Sequence, residues 1–418
     1  MMSFVRRLSL ADLSYAATGY RKSHPNQIGC HLVVKGVGKI PEHKMKDAVK
    51  DVVRYCPILK ARLRGFWIAK YWSDTGPLPA VRTIHRDWDG QCHKALDFID
   101  TPLDLIEGPV AEIVQVIGRH SFLVFRVHHA ATDGVGLVEF ARAFFKVLKQ
   151  ETPEHFNSKL VMEKLPHGNL DAIPPTVMNA PFPYKLPAID RNNLDRSRHW
   201  RRVTMPGNDK KILLKSILAI SALARGDGAG SVRIHMPVNL RRHAPGERTM
   251  ANMVGLLRMD IEPDDSERHL LKKIKKVMGE KQELPIAINS LTSKLTFVFP
   301  LMLLHCVEKW AMKKRLSNPR FRCSGTTSHM GNINLADFSA EYFQAQTAFG
   351  IPASPLGAPL VVLTMTNENF TEVVWSVNKT LISDEGMDDL VEQLSMRIES
   401  QGIKPGPSHG DLPAAMSA

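Results

Sequence analysis

The chain has 418 residues, more than one typical domain core needs, so two domains of roughly 200 residues each are expected. A composition with 44% hydrophobic and 23% charged residues is ordinary for a soluble globular protein. The formal charge of +13 favours anionic partners or, more simply, a solvated basic surface. Among anionic partners nucleic acid is the least supported, because the basic residues are not interleaved with aromatic ones.

The cysteine pattern predicts neither a disulfide framework nor a metal site. The five cysteines are scattered and include no C-x-x-C pair, which favours a reducing, cytoplasmic location. Residues 1–7 carry charge without an adequate apolar core behind it, so we expect no signal peptide. These cysteines are Cys30, Cys56, Cys92, Cys306 and Cys323.

The first part of the chain alternates strand and helix signals. Residues 28–35 have the pattern of a strand, and Pro41 then starts a helix that Pro57 stops. Residues 80–84 and 110–116 are further strand candidates. The first domain is therefore predicted to be mixed α/β.

An apolar run ends in two adjacent histidines at a turn. Residues 122–127 predict a buried strand that ends at His128 and His129, and a helical repeat begins after Gly134. Because neighbouring side chains of a strand point to opposite faces, only one of the two imidazoles can face a given ligand. A neutral imidazole accepts a proton near pH 7, since its unperturbed pKa is about 6.5. The alternative is a core histidine satisfied by a backbone carbonyl.

The stretch from His128 to Gly134 reads H-H-x-x-x-D-G. It resembles the motif of the superfamily of CoA- or carrier-protein-dependent acyltransferases. This superfamily includes chloramphenicol acetyltransferase, plant acyl-CoA-dependent acyltransferases, peptide-synthetase condensation domains, alcohol acetyltransferases and wax ester synthases. Residues 101–109 and 8–12 resemble two further segments of the family, in the same order along the chain. The resemblance implies that His129 is a general base, while His128, Asp133 and Gly134 are structural.

The middle of the chain breaks the regular pattern. Residues 151–207 are rich in proline and predict a linker between the domains. A basic cluster in it is either a solvated face or a contact for phosphates or a carrier protein. Its arginines are Arg191, Arg196, Arg198, Arg201 and Arg202.

The second domain contains three further segments that resemble the family. A helix is predicted over 212–224 and a strand over 232–238, which leads to Arg241 in a segment similar to the family's P-V-x-x-R. The resemblance pairs Arg241 with Asp133; the alternative is that Arg241 is a surface charge and Asp133 only caps the helix that follows it. Asn252 lies in a segment similar to the family's G-N. Ser328 and His329 lie in one similar to S-N-x-G, with histidine where asparagine is usual. These three residues are candidates for lining a tunnel or contacting substrate.

The last third of the chain predicts ordinary core elements. The apolar run 296–307, about 12 residues, is short of the ~20 needed to span a bilayer, so a core helix is expected. Peripheral membrane contact is left open, because basic residues follow this run at once. Residues 359–366 and 371–377 predict a hairpin, 387–398 a helix and 401–418 a disordered tail.

The resemblance implies an α/β (α+β) fold of two chloramphenicol-acetyltransferase-like domains that form a V around a central tunnel. The predicted limits are 1–150 and 208–400 for the two domains, 151–207 for the linker and 401–418 for the tail.

The implied reaction transfers an acyl group from an acyl-CoA or acyl carrier protein to a small-molecule alcohol or amine. The CoA or phosphopantetheinyl thioester is then a co-substrate, and no bound cofactor, metal or nucleic acid is expected. One alternative is a non-catalytic condensation-like module that binds an acylated carrier or a lipid. Another is an enzyme like a wax ester or diacylglycerol synthase at a membrane surface.

Overall fold

A computed structural model describes residues 4–18, 29–65, 67, 69–92, 94, 96–166, 168, 180–185, 197–226, 231–284, 296–317, 321–353 and 358–400. The strands are β1 (Val5–Arg7), β2 (Gly29–Gly38), β3 (Arg62–Arg64), β4 (Tyr71–Ser73), β5 (Ala80–His85), β6 (Ala111–Ile117), β7 (Ser121–His128), β8 (Arg198–Pro206), β9 (Val232–Asn239), β10 (Val254–Ile261), β11 (Gly325–Asn332), β12 (Phe343–Ile351), β13 (Leu360–Thr366) and β14 (Phe370–Asn378). The helices are α1 (Leu10–Thr18), α2 (Glu42–Tyr55), α3 (Gly134–Leu148), α4 (Ile212–Arg225), α5 (Glu267–Gly279), α6 (Leu301–Ser317) and α7 (Asp384–Glu399).

The first lobe is built on a sheet with the strand order β12-β2-β7-β6-β5. Its inner strands β2, β7 and β6 are antiparallel, whereas β5 runs parallel to β6. Helices α2 and α3 cover one face, because α2 places Met45, Val49 and Val52 on one side at helical spacing. A small sheet of β1, β4 and β3 accompanies this lobe.

The second lobe is built on a sheet with the order β10-β9-β11-β13-β14-β8. Strand β11 is parallel to both of its neighbours, and the other pairs are antiparallel. Helices α4, α5 and α7 contribute buried residues to one core with this sheet. A separate buried cluster joins the two lobes, since Val124 and Phe349 of the first sheet pack with Trp200 and Val374 of the second. The mixed α/β class predicted from the sequence is confirmed; the V-shaped arrangement and the domain limits stay predictions.

Two strands connect the lobes in a way the sequence pattern does not predict. Strand β8 lies inside the stretch 151–207 that was predicted as a linker, and it pairs with β14 along its length. Strand β12 follows β11 of the second sheet in the chain but pairs with β2 of the first. The first sheet therefore takes its edge strand β12 from a segment about 300 residues after β2 in the chain.

The arginines of β8 are neither a solvated face nor free contacts for phosphate. Arg198 is 4% exposed and lies 3.3 Å from a carboxylate oxygen of Asp100. Arg201 bonds to the carboxylates of Asp384 and Asp388 on α7. These carboxylates are far away in sequence, which is why the cluster looked unpaired. Arg191 and Arg196 of the predicted cluster lie outside the described residues.

Helix α6 corrects the expectation of a core helix over 296–307. Leu301 and His305 are buried. Nδ1 of His305 lies 2.7 Å from the backbone carbonyl oxygen of Ala17, near the end of α1. The opposite side is apolar and exposed, because only one stripe of the helix meets α1. We call this side, together with two exposed residues just before the helix, the α6 face: Val298, Phe299, Met302, Leu303, Val307 and Trp310, each 37–63% exposed. Among the described residues, no helix is long and apolar enough to cross a bilayer.

Candidate active site

Strand β7 sends its two histidines to different environments. His128 is fully buried, and its Nδ1 accepts a hydrogen bond from the backbone N–H of Ala130 at 3.0 Å. Burial lowers the pKa of His128 to about 3, so its imidazole stays neutral at pH 7. His129, just past the strand end, is half-buried instead. Of the two residues, His129 is the one that retains exposed surface.

The His129 ring is held from two sides. The ring of Tyr15 from α1 stacks on it with centroids 4.0 Å apart and an angle of 22° between the planes. Its Nδ1 lies 3.2 Å from Oδ1 of Asn252, a residue just before β10 of the second lobe. Burial lowers the pKa of His129, and a hydrogen bond to its own backbone, the Asp133 charge and Asn252 offset this only in part. The imidazole is therefore neutral at pH 7 and can accept a proton.

Asp133 performs both of the roles that the sequence left open. Its Oδ1 accepts from the backbone N–H of Gly136 at 2.9 Å, which caps the first turn of α3. The same carboxylate accepts hydrogen bonds from two N–H groups of Arg241 in the second lobe, at 2.9 and 3.0 Å. The backbone N–H of Met253 adds a fourth donor at 2.9 Å. Capping and ion pairing are thus not alternatives.

Arg241 is held as firmly as its partner. Its Nε and Nη2 also donate to the backbone carbonyls of Thr249 and Ala251, at 2.9 and 2.8 Å. Burial alone would raise the pKa of Asp133, but the Arg241 guanidinium and the backbone donors outweigh it, and the pKa falls below its usual value. Asp133 therefore stays ionised at neutral pH, and its bonds to Arg241 connect the motif to the second lobe.

Asn252 links the two lobes, and the residue is 1% exposed. Its Nδ2 donates to the backbone carbonyl of His129 and to Oδ1 of Asp12, each at 2.8 Å. Asn252 therefore contacts both the ring and the backbone of His129.

Asp12 and Tyr15 on α1 are the neighbours of the site that sequence reasoning missed. Asp12 is fully buried and forms an ion pair with buried Arg6 at 3.0 Å. Arg6 in turn donates to the carbonyl of Ala131 in the motif turn, at 3.3 Å. The available signal was the charge of Asp12 in the stretch 8–12, which resembles the family's opening segment.

The β11 candidates are placed differently from the motif residues. His329 is exposed, and its Nδ1 lies 2.9 Å from the hydroxyl of Thr364 on β13. Ser328 is half-buried, and its backbone carbonyl accepts from the same hydroxyl at 3.3 Å. The next residue, Met330, reaches the motif instead: a Cβ added to Gly134 would lie 3.0 Å from its terminal methyl. Gly134 therefore allows a close approach of the two lobes.

A cavity of about 480 Å³ opens beside Arg241. It is lined by the outer side of α3, including Glu139 and Arg142, and by the segment around Thr249. His129 does not line it, so this cavity is not the passage to the imidazole. The central tunnel stays a prediction.

The chain is similar to solved condensation domains over nearly its whole length. A variant of the starter condensation domain of rhizomide synthetase, solved with C8-CoA, is 15% identical, covers 94% of both chains and has a TM-score of 0.63. The first condensation domain of the calcium-dependent antibiotic synthetase is 14% identical, covers 96% of this chain and 99% of that one, and has a TM-score of 0.63. The condensation domain of the monacolin K polyketide synthase MokA is 12% identical with a TM-score of 0.59, covering 94% of this chain and 97% of that one.

No protein-family model and no curated protein sequence matches the chain. Identities of 12 to 15% show a shared fold and nothing finer. The fold class predicted from the sequence is confirmed: this chain has the condensation-domain fold.

Proposed function

We propose that the protein is an acyltransferase that moves an acyl group from a CoA or carrier-protein thioester to a hydroxyl or amine. The observation that carries the proposal is the half-buried, neutral imidazole of His129, held between the two lobes by Tyr15 and Asn252. A base in this position needs no resident cofactor. The structure of a similar fold with C8-CoA supports a thioester donor.

The reaction follows from one base and two substrates. His129 takes the proton of the acceptor O–H or N–H while the oxygen or nitrogen attacks the thioester carbonyl carbon. The tetrahedral oxyanion that forms collapses, the C–S bond breaks, and the thiolate receives the proton from the imidazolium. The imidazole is thus regenerated, and no acyl-enzyme is needed when both substrates are held close together.

The remaining motif residues are proposed to shape the site without touching substrate. Asp133 and Arg241 join the motif turn to the second lobe, and Gly134 admits Met330. His128 is too deeply buried and too weakly basic to act as the base. Ser328 is proposed as a residue near the acyl path, because it lies two positions before Met330 on the same strand.

The test is thiol release from acetyl-, octanoyl- and palmitoyl-CoA and from an acylated carrier protein, with and without added alcohols or amines. We expect release that depends on the acceptor and yields the ester or amide. Binding of the thioesters without any release would instead identify a non-catalytic module, the alternative that the sequence left open.

The low pKa of His129 predicts the acid limb of the pH profile. A base must be unprotonated, so kcat/KM falls as the pH drops through the pKa of the free enzyme. Because burial lowers this pKa, we expect the midpoint below about 6.5, the unperturbed value for a histidine side chain. The pH dependence of kcat/KM with a saturating acceptor measures it, and a midpoint above 7 would contradict a buried, neutral base.

The α6 face favours a second candidate, an enzyme like a wax ester or diacylglycerol synthase at a membrane surface. Its exposed side chains lie beside Lys309 and Lys314, and the Lys314 ammonium lies over the Trp310 ring at 5.4 Å. An apolar helix face with flanking cations suits an anionic lipid interface.

Replacing Trp310 with serine tests this candidate. Loss of a large apolar contact worth about 1.5–3 kcal/mol should lower binding to phosphatidylglycerol vesicles about tenfold or more. The matched control is Met396→Ser, which changes an exposed apolar residue on α7. Co-sedimentation of both variants with the vesicles measures the effect, and equal binding of the two would argue against the α6 face.

A further inference from the structure

We propose that Asp12 is a positioning residue: acting through Asn252, it fixes His129 in the tautomer that has its proton on Nδ1 and its lone pair on Nε2. The inference rests on the proposed role of His129 as a base, since it explains why that ring would accept a proton at its outer nitrogen. Its test does not require substrate.

The orientation of the Asn252 amide is set by its neighbours. Nδ2 lies 2.8 Å from the Asp12 carboxylate and 2.8 Å from the carbonyl oxygen of His129. Both of these oxygens only accept hydrogen bonds, so the NH₂ end must face them. The reverse orientation would place the amide oxygen against two other oxygens. With 1% of its side chain exposed, Asn252 has no solvent to compensate for that arrangement.

The amide orientation favours one tautomer, and a hydrogen bond from the ring to the backbone of His129 itself favours the same one. Once the NH₂ group faces Asp12, Oδ1 faces Nδ1 of His129 at 3.2 Å. A carbonyl oxygen needs a donor, and a neutral imidazole has one N–H and one lone pair. Nδ1 therefore carries the proton, and the lone pair is on Nε2. In histidines that act as bases, the hydrogen bond made by one ring nitrogen commonly sets which nitrogen carries the proton.

The two carboxylate oxygens of Asp12 have different partners, and only Oδ1 bonds to Asn252. Its Oδ2 accepts from Nη1 of Arg6 at 3.0 Å, from the backbone N–H of Ser9 at 3.1 Å and from Nε1 of Trp72 at 3.3 Å. Its Oδ1 receives the Asn252 amide. The charge on Asp12 is thus paired, and its position is defined by groups on β1, on the residue before α1 and on β4.

The decisive variant is Asp12→Asn. Three donors face the Oδ2 position and demand an oxygen there, so the new amide turns its NH₂ group toward Asn252. The Asn252 amide can then accept from the new NH₂ group only by reversing, which sets its oxygen against the backbone carbonyl of His129 but offers its own NH₂ group to His129 Nδ1. In the molecules that reverse, the imidazole proton moves to Nε2. We expect kcat/KM to fall in proportion to that population, mainly through kcat, because the outer nitrogen has lost its lone pair.

The readout is the two-bond ¹H–¹⁵N spectrum of the full chain labelled with [¹⁵N]histidine. The His129 signals are assigned by their absence in His129→Gln. We expect a protonated Nδ1 in the wild-type protein and a raised population with protonated Nε2 in Asp12→Asn. The matched control is Trp72→Phe, which removes one donor to Oδ2 but leaves Oδ1 alone, and it should keep the wild-type tautomer.

A wild-type His129 with its proton on Nε2 would overturn the inference, even if Asp12→Asn fails to fold. An unchanged tautomer in folded Asp12→Asn would overturn it as well. Since the spectrum is recorded without substrate, a protein that releases no thiol but has the Nδ1–H tautomer refutes the proposed function and not the role of Asp12.

Discussion

His129→Gln is expected to lower kcat/KM for acyl transfer roughly 10²–10⁴-fold, because it removes the only base proposed for the acceptor proton. At about 1.4 kcal/mol for each factor of ten, this equals a loss of roughly 3–5 kcal/mol of transition-state stabilisation. Glutamine preserves a hydrogen-bonding side chain opposite Asn252, so the junction of the lobes should survive. Acceptor-dependent thiol release under kcat/KM conditions measures the effect.

The control for this variant is His85→Gln, since His85 is exposed at the end of β5 and far from the motif in sequence. It should retain wild-type activity. Circular dichroism and thermal unfolding of both variants check that the fold is kept. A His129→Gln protein that releases thiol within threefold of His85→Gln would refute the assignment of the base.

Arg241→Met is expected to lower the free energy of unfolding by about 3–5 kcal/mol, because it leaves the buried Asp133 carboxylate without its guanidinium. The side chain of Asp133 is 1% exposed and that of Arg241 is 15% exposed. Two backbone N–H donors still face Asp133 in the variant, which places the expected loss toward the lower end. Urea unfolding monitored by tryptophan fluorescence measures it.

A nearby exposed pair supplies the comparison. Arg248 bonds to Glu154, with side chains 60% and 43% exposed. Arg248→Met should cost only about 0–1 kcal/mol, since water and salt screen such pairs. Equal losses in the two variants would show that the Asp133–Arg241 pair does not hold the lobes together.

Local patterns were sufficient to predict the centre of the site. The apolar run of β7, the two histidines and the helical repeat of α3 predicted a strand, a turn and a helix, because each depends on neighbours close in sequence. The segment around Arg241 was found only by its resemblance to the family. Whether Asp133 caps a helix or pairs with Arg241 could not be decided from the sequence, since a carboxylate with about four acceptor positions can do both.

The contacts that the sequence did not predict all join distant parts of the chain. Asn252 meets Asp12 across 240 positions, and no periodic pattern reports such a contact. The arginines of β8 looked solvated because their carboxylate partners lie elsewhere in the sequence. The burial of α6 was overestimated for a related reason: apolar composition does not tell how many faces of a helix find a neighbour.

The position of β12 has a consequence for synthesis of the protein. Its partner β2 ends at Gly38, while β12 ends at Ile351, so the hydrogen-bonding groups along one side of β2 have no native partner until about 300 further residues have been translated. At about 5–20 residues per second, this interval lasts tens of seconds. A nascent chain thus carries an open, largely apolar strand edge, the kind of surface that chaperones cover and that promotes aggregation.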